Sequence, residues 1–124
     1  VGKEREWVAS KWEELMLFAQ IKARPGLWLG EKSLLSLRDH LFGMQHAFRL
    51  CLHEDPMEYL SGFIEWYQGR GIGDFNGYAS WWNHILYTSG NRDAEAFDEF
   101  FRVFERYLQE ECATALPAPQ WNQL

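Results

Sequence analysis

The chain has 124 residues, of which 47% are hydrophobic and 17% aromatic, with seven Trp, nine Phe and five Tyr; it can close one core and is too apolar for a disordered tail. Its net charge of -6 is uneven: residues 1–53 carry eight Lys/Arg against six Asp/Glu, a balance of +2, and residues 54–124 carry four against twelve, a balance of -8. This field argues against nucleic acid, whose phosphates need a basic footprint, and favours a cationic protein surface as partner.

Nearly every segment repeats apolar residues at the helical period. Residues 5 to 22 set Val8, Trp12, Leu15 and Ala19 on one stripe, widened by Trp7 and Phe18, and Arg24-Pro25-Gly26 ends it. The run Arg24-Pro25-Gly26-Leu27-Trp28-Leu29-Gly30 reads as a staple, with Trp28 and Leu27 or Leu29 plugging the gap between two helices; a ligand loop is the alternative. Ser33 caps a second helix over 34–53, with Leu34, Leu37, Leu41, Met44, Phe48 and Cys51 inward. Asp55-Pro56-Met57-Glu58 opens a third, which runs to Gln68 and carries Met57, Leu60, Ile64 and Tyr67, broadened by Phe63 and Trp66. Gly69, Gly71 and Gly73 form a connection, with Asp74 or Asn76 as the next cap. A fourth helix over 77–88 bears Tyr78, Trp81, Trp82, Ile85 and Leu86. After Ser89-Gly90-Asn91 a fifth, over 92–114, turns Ala94, Phe97, Phe101, Phe104, Leu108 and Cys112 inward, and residues 116–124, with Pro117 and Pro119, read as a frayed tail. The expectation is an all-α, single-domain bundle of about five helices over residues 1–124, joined by short turns.

No apolar run reaches the roughly 18 residues that cross a bilayer, and the charged opening VGKEREWVASKWEE has no signal-peptide core, so a cytoplasmic chain free of the membrane is expected. Cys51 and Cys112 sit in helical patterns and read as reduced thiols. His40, His46, Cys51 and His53 follow one another at spacings of six, five and two, which do not gather around one metal ion. Cys51 and His53, two apart, point to different sides of a helix and make no nucleophile-base pair. Asp98, Glu99, Glu105, Glu110 and Glu111 lie on a solvated face, without the apolar pocket that would raise a catalytic carboxyl. The glycine-rich connection follows no strand and is no dinucleotide loop. These residues predict a non-catalytic chain with neither metal nor cofactor.

One resemblance spans residues 20 to 108: the Arg24 to Gly30 run, Ser33-Leu34 and Leu37 opening a helix, Phe63 and Trp66, Trp82 and Ile85, then Ala94, Phe97 and Phe100-Phe101 in an acidic helix. This order resembles a group of small helical bacterial proteins among the candidate immunity proteins of contact-dependent or secreted polymorphic toxins. The resemblance implies a cytoplasmic binding module that neutralises a toxin domain. The acidic second half and the surplus of aromatics place the partner-binding residues at Glu58, Glu65, Asp74, Tyr78, Trp81, Asp93 and Glu95. Two alternatives stand beside it: a self-associating scaffold or homodimer that buries its aromatics against a copy of itself, and a small helical enzyme or ligand carrier with an aromatic pocket among Trp12, Trp66, Trp81 and Trp82.

Overall fold

A proline ring bars the helical conformation to the residue before it. In the computed structural model, which describes residues 2–54, 56–69 and 80–120, with 2–10 as backbone only, α1 spans Gly2–Ala23 and Arg24 leaves the helix at φ -138°, ψ 67°. Pro25 then opens a one-turn helix, α2 (Pro25–Leu29), where its missing N–H is no loss. Gly30 ends α2 at φ 81°, and its N–H donates to the Gly26 carbonyl at 3.0 Å. The opening run is thus itself helical. Trp28 and Leu29 pack against the core, whereas Leu27 is 62% exposed, so the staple is Trp28 with Leu29.

The other elements are α3 (Leu34–Leu52), α4 (Glu58–Gly69), α5 (Trp81–Thr88) and α6 (Asp93–Cys112). Six helices and no strand are found among the described residues, one helix more than expected because α2 closes its own turn. The expected all-α architecture stands. The Asp55 cap, the loop with Gly71, Gly73, Asp74 and Asn76, and the expected helical residues before Ser80 lie outside the described residues, as do residues 121–124.

The core is built on α6, which packs against α3, α4 and α5. Phe97, Phe100, Phe101, Phe104 and Leu108 are fully or almost fully buried, each contributing about 2 kcal/mol by leaving water. Phe100 and Phe104, one turn apart, stack at 5.4 Å and 12°, and Phe18 of α1 meets Phe104 at 4.6 Å. Phe63 of α4 stands edge-on to both α6 rings at 5.4 Å. Ala94, expected inward, is exposed; the buried alanine is Ala96.

Three other expectations are corrected. Trp12 is 53% exposed rather than inward, while the neighbouring Glu14 is buried. On α3, Leu34, Leu37, Leu41 and Gln45 are buried, Met44 and Phe48 half-buried against the core and Cys51 exposed, because the last turn of the helix moves out of the core. Residues 116–120 do not fray: Leu116 packs against the core, and the Gln20 side-chain amide donates to the Gln120 carbonyl at 3.2 Å.

Candidate partner-binding surface

The first turn of a helix leaves backbone N–H groups without partners. At α4 the ladder begins with the Met57 carbonyl, which accepts from Ser61 N–H at 3.1 Å, so Pro56 lies before the helix rather than at its first position. Glu14 of α1 supplies the cap: its two carboxylate oxygens accept from Tyr59 N–H at 3.0 Å and Leu60 N–H at 2.8 Å. At α3, Ser33 caps as expected, its hydroxyl oxygen accepting from Ser36 N–H at 3.0 Å. Asp93 joins it from the start of α6, accepting from the Ser33 hydroxyl and, at 3.1 Å, from Leu35 N–H.

The surface acids are largely engaged with the chain's own cations. Among the described residues, pairs cross from the basic first half to the acidic second at Lys11–Glu58, 3.0 Å, Lys22–Glu105, 2.9 Å, and Lys32–Asp98, 2.6 Å. The hydrogen bond to Glu58 holds the Lys11 ammonium above its usual pKa. Within α6, Arg102 pairs with Glu99 and Arg106 with Glu110 at 2.7 Å, while Arg92 reaches Glu95 at 3.1 Å.

Of the seven residues expected to meet a partner, Glu58 and Glu95 are exposed but ion-paired. Asp93 is half-buried in its capping role. Trp81 is corrected: at 2% exposure, its ring lies 5.4 Å from Phe100 and 6.1 Å from Phe63, because the first turn of α5 points into the aromatic core. Asp74 and Tyr78 lie outside the described residues. Glu65 is exposed and has no ion-pair partner among the described residues.

Glu65 opens onto a groove between α4 and α6 of about 520 Å³, lined by Gly62, Glu65, Trp66, Gly69, Tyr107 and Glu111. Gly62 makes it possible. A Cβ there would overlap the Tyr107 hydroxyl oxygen, so only glycine lets α6 bring this tyrosine against α4. Trp66 and Tyr107 meet at 5.4 Å and form an aromatic floor between two carboxylates. Arg106 already lays its guanidinium 5.8 Å from the Trp66 ring centroid. Burial, then the hydrogen bond with Cys112, keeps the Tyr107 phenol well above its usual pKa and so neutral.

Behind this face, Tyr67 shares a 2.6 Å hydrogen bond with His84 Nδ1, both residues buried. Burial pushes the Tyr67 phenol up to about 12, the Glu99 charge adding to the shift and Arg102 opposing it. No three His, Cys, Asp or Glu side chains among the described residues form a metal-holding group, and no described helix is long and apolar enough to cross a membrane. Sequence reasoning missed Tyr107, Glu111 and Gly62; the signal for Gly62 was a glycine inside a helical pattern, which marks close backbone approach. The chain matches no protein-family model, no curated protein and no solved structure.

Proposed function

We propose that the chain is a cytoplasmic protein-binding module, without catalytic activity of its own, that takes a basic surface of another protein onto the α4–α6 groove and neutralises a toxin domain as an immunity protein does. The observation that carries this reading is the exposed Glu65 carboxylate, without an ion-pair partner among the described residues, beside the Trp66 and Tyr107 rings and Glu111. Acids at the edge of an aromatic floor receive a lysine or arginine through charge and through what Trp66 and Tyr107, each 8% exposed, leave open of their rings. Arg106 over Trp66 is an internal example of that contact. The sequence resemblance supplies the toxin as the partner class.

The test is co-purification of the tagged protein from bacterial cells at low and then high salt, with co-expression of whatever is recovered. Recovery of a basic toxin domain that salt releases, whose toxicity the chain suppresses and Glu65→Lys restores, is the expected result. Recovery of the chain alone at both salts sinks the reading. Self-association is the second reading, favoured by the exposure of Leu50 (65%), Leu27 (62%) and Trp12 (53%). Sedimentation as a dimer at low micromolar concentration would decide for it.

A further inference from the structure

Beside the second half of α3, the described residues leave a space they do not fill. Leu17 of α1, Met44 and Phe48 of α3, and Pro56 and Met57 before α4 wall a cleft of about 160 Å³ whose remaining lining is Glu13 and Glu14. An apolar cavity of roughly 150 Å³ takes one benzene-sized group, so this cleft fits one large apolar side chain. Among the described residues, its charged walls are carboxylates. Glu14 is occupied by its two bonds to α4, whereas Glu13 is exposed and has no ion-pair partner among the described residues.

The apolar walls offer almost nothing to the N–H and C=O groups of an incoming backbone, and a helix is the segment that brings those groups already satisfied. On a helix, residues three or four apart share a face at roughly 5–6 Å, which sets a cation one turn from an inserted apolar anchor. We propose that this cleft receives a basic amphipathic helix of a protein partner: one bulky apolar side chain enters between Leu17, Met44, Phe48 and Met57, and a Lys or Arg on the same face pairs with Glu13. This rests on the reading of a basic protein partner but uses a different surface, between α1 and α3 rather than α4 and α6.

The test titrates the full isotope-labelled chain with a synthetic Leu/Lys amphipathic helix of about 18 residues, and with the same pattern carrying Glu for Lys. The expected result is amide shifts around Leu17, Met44 and Phe48 with the Leu/Lys peptide and none with the Leu/Glu peptide. Glu13→Gln should weaken binding about threefold and Met44→Gln about tenfold. Since Glu13 is exposed, its variant decides the matter even if Met44→Gln unfolds the chain. Equal binding of both peptides, binding unchanged by Glu13→Gln, or no shifts at all would overturn the cleft. So would a dimer of the free chain that Met44→Gln dissociates, which would seat a second copy there. Shifts confined to Glu65, Trp66 and Glu111 would overturn the cleft but leave the basic-partner reading standing, and co-purification judges that reading without the peptide.

Discussion

Two buried side chains show how single residues are committed. Glu14 is a charge 5% exposed, tolerable because two backbone N–H groups at the start of α4 hold it. Hydrogen bonds to charged groups are worth about 1.5–3 kcal/mol each, so Glu14→Ala, which leaves both donors without this acceptor, should cost about 3–6 kcal/mol in urea denaturation. Glu14→Gln, which keeps one carbonyl acceptor, should cost clearly less; equal costs would mean the carboxylate merely fills space. Tyr67 is the second case. Its folded pKa of about 12 lies above the value of about 10 for an exposed phenol, so the folded state holds this proton more tightly than the unfolded chain does. The stability linked to it is therefore complete below about pH 10 and lost as pH rises toward 12. Phenolate absorbance should show Tyr67 among the last tyrosines to ionise, and Tyr67→Phe should flatten the fall in stability between pH 10 and 12. A Tyr67 that ionises near pH 10 with the fold intact would contradict the burial argument.

At the level of elements, α4 and α6 approach closely because Gly62 has no side chain, and the pair makes a double-mutant test. Gly62→Ala should destabilise the chain by about 1–3 kcal/mol as the new methyl displaces the Tyr107 hydroxyl. Tyr107→Phe removes the clashing oxygen, so the double variant should recover part of the loss; strictly additive costs in thermal unfolding would show that the contact is not the cause. The helices themselves were legible wherever their signals were local. Ser33 caps α3 through the backbone three residues on, and Pro25 ends α1 by its own ring. What the sequence hid depends on distant residues. Glu14 caps α4 from 45 residues away, and the apolar spacing of Met44, Phe48 and Cys51 gave no sign that α3 would leave the core beyond Phe48. Trp12 and Glu14 are two positions apart, and only the place of α4 decided which of them turns inward.

For the whole molecule, the split of +2 and -8 between the two halves reads at first as an acidic face turned to a partner. Folding uses part of it internally: Lys11, Lys22 and Lys32 cross to Glu58, Glu105 and Asp98, and Asp93 caps α3. Exposed pairs of this kind add about 0–1 kcal/mol each, so their consequence is less for stability than for which acids stay open. Of the expected contact acids among the described residues, Glu65 is the one these pairs and caps leave open. A paired carboxylate and its cation present little net field, while an uncompensated one beside a groove still draws a positive partner. With the basic partner in hand, reversing Glu65 should slow association about fivefold at low salt and flatten its salt dependence, because steering acts through net local charge. Reversing Glu95 alone, already neutralised by Arg92, should change the rate less than about twofold. Association rates from stopped-flow mixing at two ionic strengths separate the cases. If Glu95 matters as much as Glu65, the partner reads the acidic half as a diffuse field, and the α4–α6 groove loses its claim to be the contact.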